Sequence, residues 1–314
     1  MHNNNLPQFA VLMATYNGAQ WIEQQIESIF NQKLVKVDLY ISDDCSKDET
    51  INVIEKYRNI NKCNIHYIDN NIDLSKRSSA NNFFNLIKNV DSNKYDYISF
   101  CDQDDIWDND KLYKSYRSIK NLNADCYSSN VTAFWDDNKK IYLKKSIDQN
   151  QYDYLFESAG PGCTYVITSL KYIELKNWIV INQSKLNDIW FHDWLIYAFC
   201  RINEYKWVIE SESTMQYRQH KTNVFGANTG FGLSRKNLNS LFIRYKLVRS
   251  GEYRNKIINL IDVLDYSNWV SIRIKRFNLI DRFILAFNVT KFRKKKIDQM
   301  ILFIFFFIMK KFNK

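Results

Sequence analysis

The stretch Tyr97-Ile98-Ser99-Phe100-Cys101-Asp102-Gln103-Asp104-Asp105-Ile106-Trp107 sets three carboxylates directly behind a short apolar strand. In an open α/β sheet, ligands collect in the crevice beyond the carboxyl ends of the strands. Hard divalent cations such as Mg²⁺ or Mn²⁺ are held there by carboxylate oxygens shared with substrate phosphates. The cluster therefore reads as a metal and phosphate site. A solvated acidic turn is the competing reading, which the strand before it and the bulky Ile106-Trp107 behind it disfavour.

Working outward, strand and helix patterns alternate. Phe9 to Met13 is a buried strand, and Ile22, Ile26, Ile29 and Phe30 then recur at helical spacing. Val37 to Ser42 is a second strand, and Ser46-Lys47-Asp48-Glu49 after it has the pattern of a capping box for a helix carrying Ile51, Ile54 and Tyr57. Ile65 to Ile68 and Tyr97 to Phe100 are further strands, with a helix around Phe83 to Ile87 between them. Such β-α repeats predict a mostly parallel sheet with helices on both faces. After a helix at Lys111 to Asn121 the alternation fades. Asp125 to Trp135 and Lys140 to Leu143 read as a hairpin joined by Asp136-Asp137-Asn138. Glycines concentrate at Gly160-Pro161-Gly162 and from Gly226 to Gly232, and neither stretch is a phosphate-cradling loop.

The 314 residues are 46% hydrophobic and 25% charged, as expected of a folded protein with a substantial core. Six scattered cysteines contain no Cys-x-x-Cys pair, which speaks against a zinc ribbon or redox motif and for a reduced, cytoplasmic setting. Met1 to Phe9 has no positive flank or apolar signal segment, so export is not expected. The net charge of +10 is unevenly spread: from Ser234 to Lys314 there are 19 Lys and Arg against 5 Asp and Glu, a net of +14, leaving −4 elsewhere.

This basic region reads as helical and ends in Lys291-Phe292-Arg293-Lys294-Lys295-Lys296 followed by the apolar run Met300 to Met309. As a helix that run spans about 15 Å, roughly half a hydrocarbon core, so an interfacial anchor on an anionic membrane is expected rather than a membrane span. Packing on the body or on a second subunit is the alternative. Nucleic acid is not expected as a partner, since no reading module accompanies the charge.

Five ordered motifs resemble the inverting family-2 glycosyltransferases of the GT-A fold, in the subgroup that builds bacterial surface polysaccharides and includes rhamnosyltransferases. They are Ala10 to Gly18, Ile41 to Thr50, Asp102 to Asp105 with Gly160 to Cys163, His192-Asp193-Trp194, and Tyr217 to His220. The resemblance implies a GT-A α/β domain with a nucleotide-sugar half at 1–125 and an acceptor half at 126–233; the charge pattern adds a basic helical, membrane-associating extension at 234–314. The resemblance assigns Ala14, Thr15, Tyr16, Asp44, Asp102 and Gln103 to the donor, with Asp43 supporting the turn. Lys76, Arg77 and Arg218 are implied as diphosphate contacts, and Asp104 and His220 as ligands of Mn²⁺ or Mg²⁺. Asp193 is implied as the catalytic base. Asp105, Trp107, Gly162, Cys163, His192 and Trp194 are expected on the acceptor side, with Trp190 as a further face for a sugar ring.

The implied reaction moves a sugar from a nucleoside-diphosphate donor to a lipid-linked glycan at the inner face of the membrane. A sugar-phosphate nucleotidylyltransferase and an inactive, membrane-bound glycan-binding protein are the rivals. The first should carry a glycine-rich loop, which Met13 to Gly18 lacks. Cys45 and Asp73 stand where the family pattern has glycine.

Overall fold

A computed structural model describes residues 6–60, 64–70, 77–220 and 251–308. The chain divides into two compact units, Met1–Ser146 with Ala159–Phe225, and Ile147–Ser158 with Gly226–Lys314. The halves expected at 1–125 and 126–233 thus contribute to one sheet, while residues 147–158 leave them for the second unit.

In the first unit, β1 (Gln8–Thr15), β2 (Lys36–Asp43), β3 (Ile65–Tyr67) and β4 (Tyr97–Cys101) are parallel neighbours in the order β3-β2-β1-β4. Phe9 to Met13 of β1 are all fully buried, as a strand covered on both faces requires. Helices α1 (Ile22–Phe30), α2 (Thr50–Arg58) and α3 (Ser79–Asn89) connect these strands. The register pairs Thr15 with Asp43 and Met13 with Cys101, so three carboxyl ends open at one edge.

Beyond β4 the sheet becomes mixed. The remaining elements are β5 (Ile106–Trp107), α4 (Lys111–Leu122), β6 (Cys126–Phe134), β7 (Lys140–Leu143), β8 (Val166–Thr168), α5 (Ser169–Ile181), α6 (His192–Ile202) and β9 (Trp207–Arg218). β8 pairs antiparallel with β4 and β6, and the order continues β8-β6-β9-β5. The expected hairpin is β6 with β7, its turn holding Asn138 at φ 61°. β9, which the sequence pattern did not announce, pairs parallel with β6 and antiparallel with β5 and so carries Arg218 to the acidic cluster.

One local expectation is corrected. Ser46 does not cap α2: the helix starts at Thr50, and the Ser46 hydroxyl instead donates to Asp43 Oδ2 at 2.6 Å. The N-cap is Glu49, whose side chain makes no capping bond, and Asp48 just before it accepts from the Thr50 amide at 3.1 Å. A carboxylate three residues back attracted the serine more strongly than the orphan amides ahead.

The second unit contains α7 (Glu252–Val263), α8 (Trp269–Arg276), α9 (Leu279–Ala286) and α10 (Lys296–Ile308). Asn268 and Asn278 form capping boxes with Ser271 and Asp281, which fix the starts of α8 and α9. The core is aromatic: Phe156 from the 147–158 segment stacks on Phe292 at 4.7 Å, and Phe306 of α10 meets Phe292 at 6.3 Å and Phe277 at 6.4 Å. Among the described residues no helix is long and apolar enough to cross a membrane. The apolar run is therefore split: Leu302 and Phe306 pack inward while Met300 and Ile304 are exposed, and Met309 lies outside the described residues.

Candidate active site

The turn after β2 is built on Asp43. Its carboxylate accepts from Thr15 Oγ1 at 2.7 Å, from the Ser46 amide at 2.7 Å and from Ser46 Oγ at 2.6 Å, so it supports the loop and has little capacity left for a ligand. Asp44 next to it accepts from Asn70 Nδ2 at 3.2 Å and lies 3.5 Å from Arg77 Nε. Burial raises the Asp44 carboxyl above its usual range, and the Arg77 charge opposes that. Cys45 holds φ 59°, the conformation a glycine would favour at this family position. A cavity of about 510 Å³ opens here, lined by Asp43, Cys45, Ser46, Tyr67, Asp69 and Asn70 among others. Lys76 lies outside the described residues.

Gln103, expected on the donor, does something else. Its side-chain amide pairs with both backbone groups of Tyr16, accepting from the amide and donating to the carbonyl at 2.9 Å each. Gly18 lies under this amide, and a Cβ there would overlap Gln103 Oε1. Gly18→Ala should displace Gln103 and cost about 2 kcal/mol, the worth of roughly two hydrogen bonds. In chemical denaturation, the Gly18→Ala/Gln103→Ala double variant should then lose clearly less than the two single losses added together.

The acidic cluster spreads by depth. Asp105 is fully buried, and its Oδ1 accepts from the Arg218 amide at 3.1 Å. Arg218 itself is buried: Nε donates to the Asp104 carbonyl at 2.8 Å, Nη2 to Gln24 Oε1 at 2.5 Å, and the guanidinium lies 4.6 Å over the Phe134 ring. Asp105, expected on the acceptor side, and Arg218, expected at the diphosphate, are thus both buried and joined to one another within the loop. Trp107 is buried as well, its ring carrying the Lys111 ammonium at 3.7 Å.

Lys111 is an unusual residue to find in this core. Its Nζ is fully buried and, among the described residues, has no hydrogen-bond partner. Removal from water lowers its pKa to about 8, against the opposing pull of Cys163, Cys101 and Asp105. It compensates the negative charge of the loop from below.

Asp104 faces outward from that base. His220 Nε2 lies 2.6 Å from Asp104 Oδ2, and the imidazole stacks on Trp21 at 4.0 Å. Asp102 is pushed up to about 7 by burial first, then by the charges of Asp104 and Asp193, with a Cys163 hydrogen bond opposing. Carboxylates from the end of β4 and from the start of α6 thus act on one another.

Asp193 stands in the first turn of α6, where helix amides favour an anion, and its Oδ1 accepts from the Trp194 amide at 2.8 Å. Gly162 lies against this turn: a Cβ there would sit 2.9 Å from Asp193 Cβ and 2.9 Å from His192 Nε2. His192 stacks on Phe83 of α3 at 3.8 Å, and burial lowers its pKa to about 3, so the ring is neutral and pins the helix start. Cys163 and Trp194, both expected at the acceptor, are buried, whereas Trp190 is 61% exposed just before α6. Core packing claimed Trp107 and Trp194 and left Trp190 as the open aromatic face.

The profile of Glycosyl transferase family 2 matches residues 10–190. The chain belongs to this family. It is 41% identical over 289 residues to the dTDP-rhamnosyl transferase RfbG of Shigella flexneri, covering 92% of this chain and 96% of that protein. It is also 30% identical over 109 residues to the putative teichuronic acid biosynthesis glycosyltransferase TuaG of Bacillus subtilis, covering 34% and 40%. In three dimensions it resembles residues 1–349 of Staphylococcus aureus TarS in complex with UDP, with a TM-score of 0.53 at 16% identity, covering 90% of this chain and 75% of that fragment. The fold is that of a GT-A glycosyltransferase.

Within this glycosyltransferase several positioning residues escaped the sequence reading. Asn82 donates to the Ser42 carbonyl at 2.8 Å, and Asn85 to Ser42 Oγ at 3.2 Å and to the Asp69 carbonyl at 2.9 Å. Their signal was present as buried-face asparagines in Asn81-Asn82-Phe83-Phe84-Asn85. Trp21, Gln24 and Lys111 carried no such signal, because their partners are brought to them only by the folded sheet.

Proposed function

We propose that this glycosyltransferase carries out a metal-dependent, inverting transfer from a nucleoside-diphosphate sugar to a lipid-linked glycan during synthesis of a bacterial surface polysaccharide. The observation that supports it best is that Asp193 packs against Gly162, while the adjacent Cys163 has its sulfur within 4.8 Å of the Asp102 and Asp105 carboxylates. The similarity to RfbG favours a thymidine diphosphate donor carrying a deoxyhexose. The base occupies the cavity beside Asp44, which accepts a hydrogen bond from it, and Arg77 faces the diphosphate.

Asp104 and His220 suit a divalent cation in donor type, a carboxylate oxygen and an imidazole nitrogen that hydrogen-bond at 2.6 Å and would part to admit it. Bound there, Mn²⁺ or Mg²⁺ would neutralise charge on the departing diphosphate. Ligand atoms of Asp102, Asp105 and Cys163 also lie within 4.8 Å of one another, but the buried Lys111 ammonium acting on two of those groups disfavours a cation at that depth. Asp193 accepts the proton of the acceptor hydroxyl as its oxygen bonds to the anomeric carbon. The bond from that carbon to the phosphate oxygen breaks, and its electron pair leaves with the nucleoside diphosphate. The reaction takes place at the cytoplasmic face of the membrane, a setting favoured by the basic region from Ser234 to Lys314.

A melting-temperature panel of dTDP, UDP and GDP with and without Mn²⁺ tests the reading. At ligand about a hundredfold above Kd, dTDP with Mn²⁺ should stabilise by about 2.7 kcal/mol. Asp104→Ala should abolish the Mn²⁺-dependent increment. No shift with any nucleotide, or a shift indifferent to Mn²⁺ and to Asp104, rejects it.

A further inference from the structure

The second unit carries a two-helix apolar surface that the linear sequence divides. On α9, Leu279, Ile280 and Phe283 fall within one arc of the helix, and Phe287 continues the arc just past its end; their exposures are 67, 68, 46 and 74%. On α10, Met300, Ile304 and Phe307 form a second arc, exposed by 55, 45 and 37%. The two arcs are joined edge to edge: Phe283 meets Phe307 at 5.2 Å, and Phe287 meets Phe303 at 5.8 Å. Both helices already have an inward face, Leu285 and Ala286 on one and Leu302 and Phe306 on the other. The outward arcs are therefore surplus to the core, and a contiguous apolar patch of this kind marks an interaction surface.

Charge decides the occupant. Lys291 between the helices and Lys295 and Lys296 where α10 begins are exposed, and Lys275 and Arg276 just before α9 are exposed but paired with Asp262 and Asp281. The nearby acids are already engaged, Asp281 by Arg276 at 2.5 Å and Asp298 by Arg293 at 3.2 Å. A second copy docked on this face would bring like-charged rims together. We propose that the joint face of α9 and α10 is a membrane-docking surface, which seats its Phe and Ile side chains among the headgroups of an anionic lipid leaflet with the lysines on the phosphates. The anchor is thus a folded platform. The terminal apolar run supplies only one of its two ridges.

The test uses the full chain and vesicles, without donor or acceptor, so it is independent of the proposed reaction. Flotation should show binding to phosphatidylcholine vesicles with about 30% phosphatidylglycerol, weak binding to pure phosphatidylcholine, and loss of binding at 500 mM NaCl. Ile280→Glu/Phe287→Glu should lower the partition coefficient at least tenfold with melting temperature unchanged. Lys295→Gln/Lys296→Gln should lower it on anionic vesicles only. The inference is overturned if the chain does not bind, if it binds both vesicle types equally, or if the α9 variant binds like the parent. Light scattering that shows a dimer which the α9 variant converts to a monomer would overturn it in favour of a protein interface.

Discussion

Asp193→Asn is expected to keep nucleotide-induced stabilisation and to lose transfer by about 10²- to 10⁴-fold, the range a positioned general base contributes. Asparagine preserves the shape, and its carbonyl oxygen can still accept from the Trp194 amide that Asp193 Oδ1 accepts now, so the start of α6 should not change. What disappears is the proton acceptor. Removing the charge also relieves Asp102, which the Asp193 carboxylate helps to push up, so donor affinity should not fall. Single-turnover assays beside thermal shifts separate the two properties. Transfer at the parent rate in the asparagine variant would remove Asp193 from the chemistry.

Gly162→Ala should act on the same group without touching its identity. The added methyl would lie 2.9 Å from Asp193 Cβ and from His192 Nε2, closer than real packing allows, so the α6 start must shift. A displacement of about 1 Å at a reacting group costs on the order of 10²-fold in rate. Gly162 does not hold a left-handed φ, so alanine brings no backbone strain and the fold should survive. The expected signature is a fall in kcat with donor KM unchanged. An equal loss in both parameters, or an unchanged rate, would show that Gly162 does not position the base.

The parallel half of the sheet was legible because its strands are uninterrupted apolar runs. Phe9 to Met13 and Tyr97 to Phe100 fall inside β1 and β4. β9 was hidden because Glu210 to Glu212 sit in its middle at a solvent-facing stretch, where no alternation survives. The site was legible as a set of residues but not as a set of depths. Asp102, Asp104 and Asp105 look equivalent in sequence, yet one accepts from Arg218 in the core, one meets His220, and one is raised by burial and by the charges of Asp104 and Asp193. That ordering comes from Lys111 and β9, neither of which the spacing announces.

The helical unit borrows twelve residues, Ile147–Ser158, from the middle of the chain. Phe156 stacks in its aromatic core, and the buried Asp153 lies 3.7 Å from Lys294. During translation this segment leaves the ribosome more than a hundred residues before its partners and must wait for them without a fold of its own. Cutting the gene between the two units would leave the first with an apolar strap whose packing partners are gone.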